Sequence, residues 1–379
     1  MISRIIYKSL NDELFTKKAL LVLGPRQAGK TTLLRTLISN RPELSVWLNC
    51  DEPDVRSILQ SPTSSLLSNL VGNATLVVID EAQRVKNIGL TLKLITDQLT
   101  TVQLIATGSS SLELANEINE PLTGRKIEYL LLPFSTEELI EDHGLLEERR
   151  LLSQRLIYGM YPDVVNNPSK EQRILQNLSG SYLYKDVFRF QDIRKPEILE
   201  TLLEALALQV CSEVSYHELA QTVGVDAATV RRYIDLLEKA FVIFRLRSFS
   251  RNLRNELKKS RKIYFYDNGI RNAIINNFQP VDLRPDRGAL WENFMVSERQ
   301  KYLYFHELYS NRYFWRTKQQ QEIDYLEDRD GQLFAYEFKW NSKSSSTSRL
   351  SKTFLNAYPN STLRVITPEN YTTWLVKQS

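Results

Sequence analysis

The feature that most constrains the fold is a glycine-rich segment at residues 24–31, which has the pattern G-x-x-x-x-G-K-T. It follows an apolar run, residues 19–23, that lacks the alternation of a half-exposed strand and so predicts a strand buried on both faces. A helical pattern comes next. A strand, a glycine-rich turn and a helix in this order form a cradle for phosphate groups, because the backbone N–H groups of the turn and of the helix start point at the ligand.

The residue types in this segment suit a nucleoside triphosphate with Mg²⁺. Gly24 and Gly29 let the backbone approach the phosphates. Lys30 reaches the terminal phosphates as a point charge, and the Thr31 hydroxyl ligates Mg²⁺. The sequence therefore predicts ATP and Mg²⁺ as cofactors. The predicted contact residues are Gly24, Pro25, Arg26, Gln27, Ala28, Gly29, Lys30, Thr31, Thr32, Asp80 and Ser109.

Two more apolar runs, residues 75–79 and 102–106, predict strands of the same buried kind, and their alternation with helical patterns predicts a mostly parallel sheet covered by helices. The first of these runs ends in two carboxylates. Asp80 is predicted to hold Mg²⁺, and Glu81 is predicted to be the catalytic base that takes a proton from the attacking water. The alternative is an ordinary solvated turn.

Two further polar residues extend this prediction. Ser109 lies in the segment 107–111, where a hydroxyl can sense the γ-phosphate, although a turn of small residues explains the same pattern. Arg125 is a candidate catalytic residue that stabilises charge in the transition state, either in cis or across a subunit interface. The alternative for Arg125 is a structural surface arginine.

These motifs resemble those of the AAA-superfamily ATP-binding proteins of bacteria and archaea that carry a C-terminal domain of unknown function. The resemblance covers nearly the whole chain, and it implies ATPase activity carried by Lys30, Thr31, Asp80 and Glu81. One departure is Met160, since relatives usually have a second glycine after the position of Gly159, which predicts a less flexible turn. The segments that carry the resemblance are residues 24–33, 78–83, 107–111, 124–125, 132–135, 158–163, 264–269 and 337–339.

The bulk properties predict a soluble cytoplasmic protein of two or three domains. A chain of 379 residues exceeds what one hydrophobic core usually organises. Cys50 and Cys211 lie far apart without metal-ligand spacing, which argues against disulfides or structural zinc. No apolar stretch approaches the roughly 20 residues of a membrane helix, so no membrane contact is expected. The net charge of +4 does not by itself indicate a nucleic-acid partner.

Residues 215–240 have the pattern of a helix-turn-helix. Ser215 and Glu218 form a capping box, Gly224 supplies the turn, and Asp226 caps a second helix. A basic, β-rich segment at residues 245–262 then predicts a wing, with eight basic residues and one acid. The predicted partner is DNA; the alternative is a lid or a protein contact. The candidate DNA contacts are Arg231, Arg232, Arg251, Arg254, Lys258 and Lys259.

A carboxylate cluster is predicted near the C-terminus. Glu292 lies on a predicted helix and Asp324 on a strand, while Glu337 and Lys339 lie two apart on the next strand and so project from the same face. Three carboxylates with a lysine suit a second Mg²⁺ site for phosphodiester cleavage. The spacing resembles the restriction-endonuclease-like superfamily. A degenerate fold that holds DNA or mediates dimerisation fits equally well.

The predicted α/β chain thus contains a P-loop NTPase parallel sheet (residues 1–140), a helical lid or connector (141–196), a winged helix-turn-helix (197–270) and a restriction-endonuclease-like α/β domain (271–379). The preferred hypothesis is an ATP-hydrolysing, DNA-interacting protein with a nuclease-like C-terminal domain. The alternative is a regulatory NTPase switch that binds protein partners, or a second copy of itself, and cuts nothing.

Overall fold

The computed structural model describes residues 2–109, 122–183, 196–250, 261–317, 321–341 and 349–377. The chain forms two compact units. The first unit comprises Met1–Pro133 with Lys239–Phe241, and the second comprises Phe134–Glu238 with Val242–Ser379. Among the helices that can be described, none has the length and apolarity needed to cross a bilayer.

The first unit is built on a five-stranded parallel sheet with the order β2-β3-β4-β1-β5. Its strands are β1 (Ala19–Leu23), β2 (Ser45–Asn49), β3 (Leu76–Asp80), β4 (Gln103–Gly108) and β5 (Lys126–Leu130). Every residue of β1 and β3 is buried, which explains why these strands are continuous apolar runs. The parallel α/β architecture predicted from the sequence is confirmed.

Helices connect these strands, because parallel neighbours need a long crossover. The helices are α1 (Ile6–Asp12), α2 (Lys30–Ser39), α3 (Pro53–Gln60), α4 (Ser64–Val71), α5 (Ile88–Gln98) and a single 3₁₀ turn, Ala82–Arg84. Since all five strands run in one direction, the carboxyl ends of β1, β3 and β4 meet at the same edge of the sheet. The segments that follow these three strands are the ones that the sequence singled out.

Gly24 is required by packing at this edge. A Cβ atom at this position would lie 2.0 Å from the carbonyl oxygen of Leu131, the residue that follows β5, and the backbone has φ 153°. The N–H of Leu131 in turn donates to the carbonyl oxygen of Leu23 at 2.7 Å. The chain leaving β1 therefore presses directly against the chain leaving β5, and only glycine fits between them.

The second unit contains a seven-stranded mixed sheet with the order β12-β11-β10-β9-β7-β8-β6. Strands β9, β10 and β11 form an antiparallel meander, β12 runs parallel to β11, and β7 runs parallel to β9. The strands are β6 (Glu213–Val214), β7 (Ile243–Ser248), β8 (Arg261–Phe265), β9 (Asn311–Arg316), β10 (Glu322–Arg329), β11 (Gln332–Phe338) and β12 (Thr362–Ile366).

Helices surround this sheet. They are α6 (Thr136–His143), α7 (Leu145–Tyr158), α8 (Pro162–Asn166), α9 (Glu171–Asn177) with a π turn (Leu178–Leu183), α10 (Pro196–Leu208), α11 (Tyr216–Val223), α12 (Ala227–Lys239), α13 (Asn268–Ile274), a 3₁₀ turn (Val281–Leu283), α14 (Arg287–Phe305), α15 (Arg349–Ala357) and α16 (Thr372–Leu375). Ser215 caps α11 by accepting from the N–H of Glu218, which is one half of the predicted capping box; Gly224 is left-handed, and Asp226 accepts from the N–H of Thr229 at the start of α12.

One sheet spans segments that the sequence assigned to two domains. Strand β7 pairs with β8 along its length and also with β9 at Arg247 and Ser248. The hairpin that follows α12 therefore continues the sheet of the C-terminal segment instead of standing apart from it. The finer division of the chain, with boundaries after residues 140, 196 and 270, stays a prediction.

A buried aspartate fixes the turn that contains Gly159. Asp267 Oδ2 accepts from the Met160 N–H at 2.7 Å, and its Oδ1 accepts from the Ile270 N–H at 3.1 Å. Burial raises the pKa of Asp267, and the N–H donors, Met160 first, oppose that rise. A Cβ atom on Gly159 would lie 2.0 Å from Asp267 Oδ1. The contact between Asp267 and the turn at Gly159 therefore accounts for two of the segments that carry the family resemblance, residues 158–163 and 264–269.

Gly159→Ala is expected to lower the free energy of unfolding by about 2–4 kcal/mol, because it combines a left-handed backbone with a clash against a buried carboxylate. Gly144→Ala is the matched control: Gly144 also has a positive φ, 90°, but no atom lies within 4 Å of the added Cβ. The control is expected to lose about 1 kcal/mol. Urea unfolding followed by circular dichroism measures both, and equal losses would contradict the assigned contact.

Candidate functional site

The loop between β1 and α2 has a backbone suited to an anion. Gly24 has φ 153°, Gln27 has φ 59° and Gly29 has φ 96°. A chain that changes handedness at such short intervals curls, so that successive N–H groups point into one concavity. Helix α2 begins directly after Gly29, and its positive end lies at the same loop.

Lys30, the first residue of α2, is 5% exposed and lies within this loop. Its Nζ donates to the carbonyl oxygens of Gly24, at 2.8 Å, and Pro25, at 2.9 Å. A buried ammonium group needs acceptors, and the loop supplies them. The charge is therefore held inside the loop whose N–H groups are predicted to bind phosphate.

The other predicted contact residues of the loop differ in exposure. Ala28 is buried, Arg26 is partly buried and Gln27 is exposed. Thr32 is exposed in the first turn of α2, where its carbonyl oxygen accepts from the Thr36 hydroxyl. The backbone of these residues, more than their side chains, shapes the loop.

Arg4 braces the loop from outside, a role that the sequence did not reveal. Its Nη1 donates to the carbonyl oxygen of Ala28 at 2.8 Å, and its Nη2 donates to that of Leu132 at 2.6 Å. The guanidinium therefore ties the loop to the segment after β5. An isolated arginine near the N-terminus carries no pattern that could have predicted this.

Asp80, at the tip of β3, joins three parts of the site. Its Oδ2 accepts from the Thr31 hydroxyl at 2.9 Å, and its Oδ1 accepts from the Thr107 hydroxyl at 2.5 Å. Thr31 belongs to α2 and Thr107 to β4, so the carboxylate links a helix and two strands. Nearby, burial together with the charges of Asp80 and other carboxylates raises the pKa of the Cys50 thiol to about 12, so this thiol stays protonated.

Glu81 is held in a defined orientation by a residue that the sequence analysis did not single out. It has a left-handed backbone, with φ 55°, and its N–H donates to the Thr107 hydroxyl at 2.9 Å. Gln83 Nε2 donates to Glu81 Oε2 at 2.7 Å and also to the Ser109 hydroxyl at 2.9 Å. Gln83 therefore connects the predicted base to the predicted γ-phosphate sensor. Its signal in the sequence is its place two residues after Glu81.

These residues fit ATP with Mg²⁺. The concave loop and the Lys30 ammonium suit a polyphosphate, and the oxygens of Thr31, Asp80 and Thr107 are the hard ligands that Mg²⁺ prefers. These oxygens already lie within hydrogen-bond distance of one another. Among the residues that the structure describes, Asp80 makes no ion pair, so no built-in cation competes for it.

Arg125 lies at the other edge of the sheet. Its carbonyl oxygen accepts from the N–H of Ala19, the first residue of β1, whereas the glycine-rich loop follows the last residue of that strand. The Arg125 guanidinium forms an ion pair with Asp97. Five residues of a strand separate the two edges by roughly 16 Å. The Arg125 side chain therefore lies away from the glycine-rich loop, and its predicted catalytic role, in cis or across a subunit interface, stays a prediction.

The candidate DNA contacts are only partly visible. Arg231 and Arg232 are exposed on α12, while Val230 and Ile234 beside them are buried. The other four, Arg251, Arg254, Lys258 and Lys259, lie outside the described residues, as do Ser110 and Ser111.

The basic segment around β7 and β8 is less positive than its sequence suggests. Arg245 forms ion pairs with Glu238 and Asp235, both from α12. Lys262 forms ion pairs with Glu292 and Glu322, which belong to other elements of the unit. A count of charges along the segment misses these acids, because folding brings them in from elsewhere.

The structure brings Asp324 and Glu337 together on neighbouring strands. Tyr325 of β10 pairs with Tyr336 of β11, so Asp324 and Glu337 are the next pair in an antiparallel register and face the same side. Asp324 Oδ2 accepts from the N–H of Phe338 at 2.8 Å. The Nζ atom of Lys339 lies 3.6 Å from Glu337 Oε2.

Glu292 has different partners. Its Oε1 accepts from the Lys262 ammonium at 3.0 Å and from the Tyr264 hydroxyl at 2.7 Å. Burial lowers the pKa of Lys262, but the carboxylates of Glu292, Asp324 and Glu322 outweigh it and raise that pKa above its ordinary value. Burial, reinforced by the charge of Glu292, raises the pKa of Asp324 to about 7. A lysine is thus the cation of this cluster.

The predicted three-carboxylate Mg²⁺ site is not formed. Within the described parts of the chain, no three His, Cys, Asp or Glu side chains gather in a way that could hold a metal ion. The reason is the Lys262 ammonium group, which forms ion pairs with Glu292 and with Glu322. It takes the place of a metal ion at the Glu292 carboxylate. The sequence analysis missed Lys262 because it counted this residue among the basic residues of the wing.

Three family models match successive parts of the chain. An AAA domain matches residues 16–140. A domain of unknown function (DUF8612) matches residues 149–281, and another (DUF4143) matches residues 287–378.

The relatives that match along most of the chain are described as uncharacterized proteins. A protein of Mycobacterium tuberculosis is 29% identical over 341 residues, which cover 89% of this chain and 73% of the relative. One of Methanocaldococcus jannaschii is 21% identical over 345 residues, covering 86% and 75% respectively. Among solved structures, a Walker-type ATPase of Pyrococcus abyssi has a TM-score of 0.49 and 17% identity, covering 73% of this chain and 96% of its own. The family match over residues 16–140, on a parallel sheet that carries this loop, supports a P-loop domain of the AAA type in this part of the chain.

Proposed function

We propose that this protein binds ATP with Mg²⁺ and hydrolyses it at the site between β1, β3 and β4. The observation that carries this proposal is the position of the Asp80 carboxylate. It accepts hydrogen bonds from the hydroxyl groups of Thr31 and Thr107, beside the loop that holds Lys30. A magnesium ion bound there would neutralise charge on the phosphates. The family match of this segment supports the same chemistry.

Lys30 binds and orients the terminal phosphates in this mechanism. Its ammonium now satisfies itself with the carbonyl oxygens of Gly24 and Pro25. Phosphate oxygens carry a full negative charge and form stronger hydrogen bonds than neutral carbonyls do. When a nucleotide binds, Lys30 Nζ therefore exchanges the carbonyl oxygens of Gly24 and Pro25 for phosphate oxygens while it stays inside the loop.

Glu81 accepts the proton of the attacking water. The Gln83 amide fixes Glu81 Oε2, so one carboxylate oxygen is oriented while the other is left for the water. Because the same amide donates to the Ser109 hydroxyl, it also holds the proposed base, Glu81, at a fixed distance from Ser109, the proposed γ-phosphate sensor. The proton moves from water to Glu81 Oε1 as the water attacks the γ-phosphorus and the bond between that phosphorus and the departing ADP breaks.

Two substitutions separate binding from hydrolysis. Lys30→Ala is expected to weaken ATP binding and to lower turnover by about a hundredfold or more, because it removes the buried ammonium group that lies inside the loop. Glu81→Gln is expected to keep ATP affinity while turnover falls by about 10²–10⁴-fold, since the amide cannot take a proton. Calorimetry with ATP and release of inorganic phosphate measure these two quantities.

Lys18→Ala is the matched control. Lys18 is exposed and precedes β1, so it lies at the edge of the sheet away from the loop, and its loss is expected to change neither quantity. Unchanged turnover in the Lys30→Ala protein would sink the proposed site.

We infer further that the second unit contacts DNA through a winged helix. The element order α10, β6, α11, α12, β7 and β8, with β8 between β6 and β7, supports such a fold. The exposed Arg231 and Arg232 on α12 support a phosphate contact, because the apolar face of that helix is already buried. Arg245 and Lys262 form ion pairs within the unit, so Arg231 and Arg232 are the candidate contacts that the described part of the chain offers.

Replacing both Arg231 and Arg232 with alanine is expected to weaken DNA binding and to reduce the slope of log affinity against log salt by about 1–2, because each arginine neutralises one phosphate in the wild type. Arg173→Ala, which removes an exposed arginine of α9, is the control and is expected to leave the slope unchanged. Fluorescence anisotropy over a salt series measures it. A wild type that shows no binding at low salt would rule out the DNA role and favour a switch that acts on protein partners.

We infer for the C-terminal segment a nuclease-like fold that does not cleave DNA. The order α14, β9, β10, β11, α15 and β12 supports a restriction-endonuclease-like fold. The Lys262 ammonium favours an inactive form, because it pairs with Glu292, one of the three carboxylates that were predicted to bind the catalytic metal. Wild-type protein incubated with plasmid DNA and Mg²⁺ or Mn²⁺ is expected to leave the DNA intact, and strand breakage that disappears in Asp324→Ala would overturn this candidate.

Asp324→Asn is expected to stabilise the protein in a pH-dependent way. The pKa of Asp324 is about 7 in the folded chain and 3.8 ordinarily, so the folded state binds the extra proton between these values. The stability of the wild type therefore falls as pH rises from about 4 to about 7. The advantage of the uncharged asparagine grows over this window, stays below roughly 4 kcal/mol, and is constant at higher pH.

Urea unfolding at about pH 4, 6 and 8 measures this advantage. Asp330→Asn, which changes an exposed aspartate of the turn between β10 and β11, is the control. An Asp324→Asn advantage that does not change with pH would show that Asp324 titrates in its ordinary range.

A further inference from the structure

The second unit contains a cavity of about 380 Å³ that the proposed ATPase and DNA roles do not use. Its walls come from β7, the start of β9, the end of β8 and helix α14. This volume lies within the range of cavities that enclose small ligands. All residues that line it belong to the same unit.

The cavity lies where two parallel strands separate. Strand β7 pairs with β9 only at Arg247 and Ser248, although β7 begins at Ile243 and β9 at Asn311. Residues of both strand beginnings, among them Phe244 and Arg312, line the cavity. The opening is thus a gap in the sheet itself, and it is closed on one side by α14.

Two unpaired guanidinium groups lie in the wall. Arg247 and Arg312 are exposed, and within the described ranges neither forms an ion pair. Arg245 also lines the cavity, but Glu238 and Asp235 neutralise it. The wall therefore carries a surplus of positive charge that no described acid offsets.

Hydroxyl groups accompany these charges. Tyr325 lines the cavity with 1% exposure, and its hydroxyl has no hydrogen-bond partner among the described residues. The Ser310 hydroxyl, also in the wall, is buried and equally without a partner in the described part of the chain. Buried hydroxyls without partners are rare and call for a ligand or an ordered water. The charge of Arg312 acts on the hydroxyls of both Tyr325 and Tyr266, so the guanidinium lies close to them.

We propose that this cavity binds the phosphate group of a nucleotide, either free or at the end of a nucleic-acid strand. Two guanidinium groups with hydroxyl donors match the oxygens of a phosphate better than those of a lone carboxylate, which has fewer acceptor positions. Tyr309, next to Ser310, is 89% exposed and offers an aromatic surface on which a base can stack. The site does not depend on the P-loop or on ATP hydrolysis, and only its nucleic-acid form depends on the proposed DNA role.

The test uses the full chain with Lys30→Ala, so that the P-loop does not compete for phosphate. The probes are inorganic pyrophosphate, AMP, and a short single-stranded oligonucleotide with either a phosphate or a hydroxyl at its 5′ end. Calorimetry is expected to show binding that falls about tenfold or more when Arg312→Ala or Arg247→Ala is added, since each change removes charged hydrogen bonds. Arg312→Lys is expected to lose less, because it keeps the charge.

Arg364→Ala is the matched control, because Arg364 is an exposed arginine of β12 in the same unit outside the cavity. It is expected to bind like the parent. Binding of AMP but not of the oligonucleotide identifies a free nucleotide as the ligand, whereas a preference for the 5′-phosphorylated strand identifies a nucleic-acid end. Absence of binding by every probe, or binding that is insensitive to Arg312, overturns the proposal.

The same variants distinguish this site from the ATPase. In a chain with Lys30 intact, Arg312→Ala is expected to leave the release of phosphate from ATP unchanged. A loss of anion binding with full ATPase activity therefore assigns the cavity a role separate from ATP hydrolysis. If the cavity binds none of the probes, the proposal for the P-loop is unaffected.

Discussion

The first unit depends on the contact of one buried carboxylate with two hydroxyl groups. Asp80 is 5% exposed, and a charged group at such depth requires donors. Thr31 and Thr107 provide them, and in doing so they fix the first turn of α2 and the end of β4 against the tip of β3. Because the Thr107 hydroxyl also accepts from the Glu81 N–H, the backbone position of Glu81, the proposed base, follows from the same contact. A shift of any of these elements would leave a buried charge short of donors, so the site and the fold constrain each other.

The parallel sheet explains why the residues that the sequence singled out at strand ends in this unit lie close together. Its chemistry gathers at the carboxyl ends of the strands, and each of these ends is marked by an apolar run followed by polar residues, as at Leu23 and Asp80. Arg125 has no such signal: it precedes β5 and so lies at the amino ends of the strands. Arg4 could not have been predicted, since its contacts with Ala28 and Leu132 depend on distant parts of the chain meeting in space.

The second unit shows the limit of counting charges along a sequence. Some of its elements, such as the two helices within residues 215–240, could be predicted, because caps such as Ser215 are local signals. Its electrostatics could not, because the partners are distant in sequence: Lys262 meets Glu292 after 30 residues, and Arg299 meets Glu327 after 28. A buried charge remains only where folding brings an opposite charge to it. The pattern of basic residues therefore overstated the charge available to a partner.

The two acidic sites of the molecule differ in the origin of their cation. Asp80 is satisfied by neutral hydroxyls, which a metal ion can displace or join, so its charge is free to bind an exchangeable cation with a nucleotide. Glu292 is instead satisfied by the ammonium group of Lys262, a cation that cannot dissociate from the chain. A site with a permanent counter-ion is stable without a ligand and has no need of one, whereas a site without a counter-ion responds to ligand concentration. Under the proposed function, the response to ATP and Mg²⁺ therefore arises at Asp80, whereas the carboxylate of Glu292 already has a counter-ion within the chain.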